Sequence, residues 1–282
     1  EVKKYYDRKL LKILYECWGD KIDINRVDDY GNNVLMIAIK QKKIKIIKTL
    51  HECWGDKLDI NQCDEDGETV LMNVVQDITI DDKVKIIKTL HECWGDKLDI
   101  NQRDKEGNTV LMSLVQNDEI YYKIKIIKTL HKCWGDKLDI NQCDKDGDTV
   151  LMIAIKNTKI KVIKILHKCW GDKFDINQRD KSDNVILMST VKGDIYKKAN
   201  VIKTLHECWG NKFDINQRDK YGNTVLMHVL KKNKINTINI LHECWGDQLD
   251  IGQVNRQNRN VLCMTADSKH LKVLLERLLE YK

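Results

Sequence analysis

IIKTLHECWGDKLDINQ, residues Ile86–Gln102, occurs word for word once earlier, at Ile46–Gln62. It returns with small edits at Ile126–Gln142, Val162–Gln178, Val201–Gln217 and Thr237–Gln253, and a first copy, ILYECWGDKIDIN, stands at Ile13–Asn25. Cys-Trp-Gly begins at Cys17, Cys53, Cys93, Cys133, Cys169, Cys208 and Cys244, at intervals of 36, 40, 40, 36, 39 and 36 residues. All seven tryptophans lie in this motif. Self-similarity at such a period marks a stack of small units, each burying its apolar face on its neighbours. That displaces the prior of about two globular domains for a chain of this length.

With 42% apolar residues the chain can bury a continuous core along such a stack. Acidic and basic residues alternate over short distances, so the net charge of +6 is diffuse. This favours a mild bias toward acidic partners and argues only weakly for nucleic acid. Seven of the ten cysteines share one repeated helical position. Stacked units hold equivalent residues roughly 10 Å apart, beyond the ~7 Å Cα reach of a disulfide. The reading is therefore reduced thiols and an intracellular milieu, cytoplasmic or nuclear. No apolar run reaches the ~18 residues of a membrane span, and no signal-peptide pattern opens the chain. Residue 1 is Glu, so a natural start and a targeting segment can be missing.

Outward from the repeated stretch, Gly19 and its equivalents end an amphipathic helix. Residues 2–18 form the first such helix, suited to an N-terminal cap. A polar passage follows, DKLDINQCDEDGETVLM in the copy at Asp56–Met72. Gly67, with Gly31, Gly107, Gly147 and Gly222 in the same place, is expected at positive φ; Asp183 and Asn258 stand there in the other two units. Thr69, Thr109, Thr149 and Thr224 are N-cap candidates for the next helix, and Val185 forfeits that cap. That helix is short and apolar nearly all round, as in VLMIAI (34–39) and VLMSLV (110–115), so it is buried. A loop then absorbs the period changes near Asp77–Asp82, Asn117–Tyr122 and Gly193–Ala199. Residues 268–282 read as a polar-faced closing helix.

Turn, short helix, loop and longer helix at a period near 33 is the ankyrin pattern. DINQRDKEGNTVLM (Asp99–Met112) resembles the family's D-V-N-x-x-D-x-x-G-x-T-P-L-H, and IIKTL resembles its I-V-x-L-L. The departures are regular. Val70 and its equivalents replace the family proline, losing its pre-set φ. Met72 and its equivalents replace the family histidine, losing side-chain hydrogen bonding between turns. CWGDK adds three residues. The resemblance implies an all-α ankyrin-repeat solenoid of stacked helix-turn-helix units with hairpin-like turns. It is read as one domain over residues 1–282, with a leading helix or partial repeat 1–23, repeats 24–60, 61–100, 101–140, 141–176, 177–215 and 216–251, and a capping repeat 252–282.

Six His-x-Cys pairs suggest zinc, but residues two apart on a helix point to different sides, and copies in neighbouring units are too far apart for bonds of about 2.0–2.3 Å. No metal or cofactor is expected. The ladder Trp18, Trp54, Trp94, Trp134, Trp170, Trp209 and Trp245 reads as a structural seam between units, against the alternative of an exposed stripe for a partner or stacked bases. DEDGE (64–68) and DKDGD (144–148) place Gly fourth, not sixth as an EF-hand requires. No Ser/His/Asp set, P-loop, dinucleotide motif or His-Glu-x-x-His is present, and residues repeated in every unit serve stacking rather than one active site. The chain is not read as an enzyme.

Residues that vary on the fixed frame carry any recognition. By resemblance, turn tips and short first helices line the surface that grips a partner protein. The candidates are Arg103, Lys105, Arg179, Lys181, Arg218, Lys220, Tyr221 and Arg256 on turns, and Asn73, Ser113, Ser189 and His228 on short helices, the last expected to be exposed. The turns pass from acidic (Glu65, Asp66, Glu68) to basic (Arg218, Lys220, Arg256, Arg259), so the expected partner is a protein with an acidic surface, bound by a monomer with no membrane involved. The alternatives are nucleic-acid binding through the basic turns, and the recognition portion of a larger effector, toxin or enzyme acting in a host cytosol.

Overall fold

The computed structural model describes residues 2–19, 21–77, 80–116, 120–191, 195–232 and 235–266. The closing helix expected at 268–282, and His270, lie outside them. Among the described residues the regular structure is helical, with one isolated bridge between Arg179 and Val185. The chain groups into two compact units, Glu1–Lys145 and Asp146–Lys282.

The first unit holds α1 (Val2–Trp18), α2 (Val34–Lys40), α3 (Ile44–Trp54), α4 (Val70–Asp77), α5 (Ile80–Trp94), α6 (Val110–Gln116) and α7 (Ile120–Trp134). The short helices α2, α4 and α6 pack in one layer, and α1, α3, α5 and α7 in another. The second unit repeats this with short helices α8 (Val150–Lys156), α10 (Ile186–Val191), α12 (Val225–Lys231) and α14 (Val261–Ala266), and long ones α9 (Ile160–Trp170), α11 (Ile195–Trp209) and α13 (Ile235–Trp245).

Thr69, Thr109, Thr149 and Thr224 cap their helices as expected, each hydroxyl accepting the N–H three residues on, at 3.2–3.4 Å. Asn33 does the same for α2. At Val185 the Met188 N–H bonds to the backbone carbonyl instead. Methionine in the family's histidine place is less of a loss than the sequence suggests. Met72 Sδ and Met112 Sδ each accept the backbone N–H of the capping threonine at 3.5 Å, a weak but reciprocal bond.

The period changes correct another expectation. The extra residues largely form helix rather than loop: α5, α7 and α11 have 15 residues where α3, α9 and α13 have 11. Four residues are about one helical turn, so the rest of the long helix keeps its facing. In units of the short kind, a residue in the left-handed region turns the chain, Lys42 at φ 57° and Thr158 at φ 54°. In the long ones a buried lysine from the added turn reaches back to the end of the short helix: Lys83 Nζ donates to Val75 O (2.6 Å), Lys123 Nζ to Val115 O (2.8 Å) and Lys198 Nζ to Ser189 O (2.7 Å). A cation on the last carbonyls is where the helix dipole favours it. The middles of these insertions, 78–79, 117–119 and 192–194, lie outside the described residues.

CWGDK folds as a 3-10 turn, at Gly55–Lys57, Gly95–Lys97, Gly135–Lys137, Gly171–Lys173 and Gly210–Lys212, with Gly246–Gln248 equivalent. Gly55 enters it at φ 43° and ψ −111°, open only to glycine. In the first unit Trp94 Nε1 donates to Gly55 O (3.4 Å) and Trp134 Nε1 to Gly95 O (3.2 Å). In the second, Trp209 donates to Gly171 O (3.0 Å) and Trp245 to Gly210 O (3.2 Å). Each of these indoles also meets the preceding unit's histidine edge to face, with centroids 4.8–5.1 Å apart, His51 with Trp94 and His167 with Trp209 among them. Trp54, Trp94, Trp134, Trp170, Trp209 and Trp245 are at most 4% exposed, which excludes an exposed stripe there. Trp18 departs from the ladder at 50% exposure.

Asparagines of the repeated Asp-Ile-Asn add a second seam. Asn61 Nδ2 donates to Lys97 O and its Oδ1 accepts Asp99 N–H, at 2.9 and 2.7 Å. Asn25, Asn101, Asn177 and Asn216 bridge in the same way. No described helix is long and apolar enough to cross a membrane.

Candidate functional site

Each hairpin-like turn is built on one Asp or Asn side chain, Asn255 in the last. Asp64 Oδ1 accepts the N–H of Asp66 and of Glu68, and Asp219 Oδ1 accepts those of Tyr221 and Asn223. The tip glycine follows at positive φ, 77–84° across Gly31, Gly67, Gly107, Gly147 and Gly222, with Asp183 at 62° and Asn258 at 57°, as the sequence suggests. Glycine is needed there for a second reason. A Cβ on any of these five would lie 2.6–2.9 Å from a backbone nitrogen of the next turn. That closeness permits a tip-to-tip hydrogen bond: Glu65 N–H to Tyr30 O, Lys105 to Asp66, Lys145 to Glu106, Lys181 to Asp146 and Arg256 to Tyr221, all 2.9–3.2 Å.

One tip in the second unit differs. Asp183 brings a Cβ to the place of the glycine, and among the described residues no bond joins Lys220 N–H to Ser182 O. Arg179 still bonds the next turn, its Nη1 donating to Arg218 O (2.7 Å), and here also to Asp183 Oδ1 (2.9 Å). A groove of about 730 Å³ opens here, lined by Ser182 and Asn184 of this turn, Asp219, Lys220, Tyr221, His228 and Lys231 of the next repeat, and Arg256 and Arg259 of the turn after it. Asp183→Gly is expected to restore the Lys220–Ser182 bond at the 2.9–3.2 Å seen elsewhere, visible in a crystal structure of the variant. Stability should change by no more than about 1 kcal/mol, one regained hydrogen bond offsetting one lost surface pair.

The groove is cationic. Lys220, Lys231 and Arg256 are exposed on it, and Lys220 Nζ lies 5.3 Å from the centroid of the Tyr221 ring, itself 60% exposed. The carboxylate in its lining, Asp219, is 7% exposed and engaged on both oxygens: beside the two backbone N–H groups, His228 Nε2 lies 2.8 Å from its Oδ2. Burial pushes the Asp219 carboxyl up, but the N–H groups of Asn223 and Tyr221 and the His228 ring outweigh it, and the net shift is below the ordinary carboxylate value. The stabilisation it supplies is thus complete at neutral pH and lost only as acid titrates the group through that depressed value.

The structure thereby sorts the sequence candidates. Lys220, Tyr221, His228 and Arg256 come together at the groove. His228 is a correction: its side chain is 21% exposed and paired with Asp219, not free in solvent. Asn73, Ser113 and Ser189 are corrections too. They are 1%, 6% and 4% exposed, with Asn73 Nδ2 donating to Asp64 Oδ2 and Thr69 O, and Ser113 Oγ to Thr109 O. They cannot present side chains to a partner. Arg103, Arg179 and Arg218 are exposed but serve as staples, each donating to a carbonyl of the following turn, of Cys143, Arg218 and Val254. Lys105 and Lys181 sit exposed on turn tips and are not among the groove's lining residues. Sequence reasoning missed Asp183, Lys231 and the Asp219–His228 pair. The available signals were the aspartate in a glycine's place and a nine-residue spacing shared by Asp64–Asn73 and Asp219–His228.

Five of the repeated cysteines are held as thiols. Burial raises the thiols of Cys53, Cys93, Cys133, Cys208 and Cys244 above the ordinary value, keeping them protonated. Among the described residues no three His, Cys, Asp or Glu side chains gather as metal ligands.

A family profile for ankyrin repeats, in three copies, matches residues 79–180. No curated protein matches in sequence. Among solved structures, the ankyrin repeat domain of Bcl-3, a member of the IkappaB protein family, aligns with a TM-score of 0.68 at 15% identity, over 88% of this chain and 100% of that one. EF0377, an ankyrin repeat protein, aligns with a TM-score of 0.59 at 19% identity, over 77% and 99%. A chain from the complex of the predatory endopeptidase Bd0816 of Bdellovibrio bacteriovorus with immunity protein Bd3460 aligns with a TM-score of 0.52 at 23% identity, over 76% and 98%. The matched profile shows ankyrin repeats over residues 79–180, and the shared fold, with the Asp-turn, tip glycine and threonine cap repeated along the sequence, shows the ankyrin-repeat solenoid architecture.

Proposed function

We propose that the chain is a non-catalytic module that binds another protein, and that the partner's acidic surface docks on the second unit at the groove bordered by Lys220, Lys231 and Arg256. Ankyrin repeats are in general protein–protein interaction modules. The observation that carries the placement is the groove itself: it opens beside the tip where Asp183 stands for glycine within a run of bonded turns, and the exposed Lys220, Lys231 and Arg256 line it. Tyr221 adds exposed aromatic area at low conformational cost, as recognition surfaces favour. A preformed frame loses little ordering entropy on binding.

The test is capture on the immobilised chain followed by mass spectrometry, run beside Lys220→Glu/Lys231→Glu/Arg256→Glu. Once a captured protein is purified, its affinity for the triple variant is expected to be at least about tenfold weaker, mostly through association rate, with helicity by circular dichroism unchanged. Equal capture by both would reject this surface.

A further inference from the structure

We propose that Asn255 is the residue that releases Lys231 to a partner: standing where the preceding turns carry aspartate, it withdraws both acceptors that hold the equivalent lysines elsewhere. The inference rests on the docking surface above and adds the positioning residue that sets its specificity.

The short helices end on a side chain that reaches back to the residue after the tip glycine. Gln76 Nε2 donates to Glu68 Oε1 (2.7 Å) and Gln116 Nε2 to Asn108 Oδ1 (2.9 Å). Where that side chain is lysine it meets two acceptors. Lys40 Nζ donates to Asn32 Oδ1 (2.7 Å) and lies 4.0 Å from Oδ2 of Asp64, the aspartate of the next turn. Lys156 Nζ donates to Asp148 Oδ1 (2.6 Å) and lies 4.0 Å from Asp180 Oδ2. Both lysines are thus engaged within the frame.

Lys231 holds the same place on α12, with Asn223 after the tip glycine and Asn255 in the next turn. Among the described residues it has no hydrogen bond and no ion pair. The cause lies in Asn255, which is 8% exposed. Its Oδ1 accepts the N–H groups of Gln257 and Arg259, both at 3.0 Å, as Asp219 Oδ1 accepts those of its own turn. Those two donors fix the orientation of the amide, so Nδ2 stands where an aspartate has Oδ2. An NH2 group has no negative charge and only donates, and this one donates to Asn223 Oδ1 at 3.0 Å. Nitrogen in place of one oxygen therefore takes the carboxylate from Lys231 and occupies the amide oxygen that the ammonium would use. Asp219, the carboxylate of the same repeat, is already engaged by two N–H groups and His228. The Lys231 charge is left exposed on the groove, to be met from outside.

Asn255→Asp tests this with the turn intact, because the introduced carboxylate keeps the Oδ1 acceptor and matches the residue of the preceding turns. A crystal structure of the variant is expected to show Lys231 Nζ about 4.0 Å or less from that carboxylate, as in the Lys40–Asp64 and Lys156–Asp180 pairs. Binding is read on the full chain by the anisotropy of a fluorescein-labelled hexaglutamate peptide at low salt. Asn255→Asp is expected to weaken it by about three- to tenfold. Lys231→Gln should weaken the parent by a similar factor but change the Asn255→Asp chain by less than about 1.5-fold, since the cation removed is already paired there. Ser182→Asp adds the same charge to the groove lining on another turn. It should weaken binding while leaving the Lys231→Gln loss at its parental size.

A structure of Asn255→Asp in which Lys231 stays unpaired, or a Lys231→Gln loss of equal size in the parent and in Asn255→Asp, would overturn this inference and leave the docking surface standing. Abolition of the Lys231→Gln loss by Ser182→Asp as well would assign the effect to net charge and overturn it too. Failure of the parent to bind hexaglutamate would reject the docking surface itself, and with it the role of Asn255 in recognition.

Discussion

Trp209→Ala is expected to destabilise the second unit by about 3–5 kcal/mol, the usual cost of emptying a large buried aromatic site. The indole is 4% exposed, donates to Gly171 O at 3.0 Å, and meets the rings of His167, Phe174 and Phe213 edge to face. Truncation removes all of these and leaves the Gly171 carbonyl without its indole donor. Trp209→Phe keeps most of the ring contact and should cost about half as much. Trp18→Ala is the internal control. That ring is 50% exposed, so its loss should fall within about 0.5 kcal/mol. Urea unfolding followed by circular dichroism measures all three, and a Trp209→Ala effect as small as that of Trp18→Ala would mean that the indole seam does not hold neighbours together.

Gly67→Ala is expected to cost about 2–4 kcal/mol, from two sources. The residue sits at φ 78°, where an L side chain is strained by about 1–2 kcal/mol. Its Cβ would also lie 2.8 Å from Lys105 N, pushing the next turn away and breaking the Lys105 N–H to Asp66 O bond, worth a further ~1–2 kcal/mol. Gly55→Ala isolates backbone strain, since nothing lies within 4 Å of an added Cβ, although at a φ and ψ open only to glycine that strain is larger than at Gly67. A Gly67→Ala loss no greater than the ~1–2 kcal/mol of left-handed strain alone would mean that the close approach of the tips contributes nothing.

Much of this was legible before any coordinates. Tip glycines, threonine caps and the buried indole ladder follow from residue types at a fixed spacing, because each answers a local demand: a positive φ, an orphan N–H, a large apolar ring beside a turn. What the sequence concealed depends on neighbours. Residues around Asp82 and Tyr121 look like polar loop, yet they extend α5 and α7 because Lys83 and Lys123 find carbonyls at the end of the preceding short helix. Asn73 and Ser113 look like variable surface, yet hydrogen bonds to Asp64, Thr69 and Thr109 draw them inward. The groove was the least legible feature. Asp183 tolerates the left-handed region as glycine does, so nothing in its own turn signals a change. Its effect falls on the turn that carries Lys220, 37 residues on.

The uniformity of the indole and asparagine contacts has a consequence for array length. Ile46–Gln62 and Ile86–Gln102 are identical, so excising the residues between the two copies would join a helix to a successor already shaped for it. The new junction would hold the same indole, imidazole and amide pairings as the old ones. Gain or loss of whole modules is therefore mechanically neutral within the first unit, whereas in the second it would shift or erase the single irregular tip on which recognition is proposed to depend.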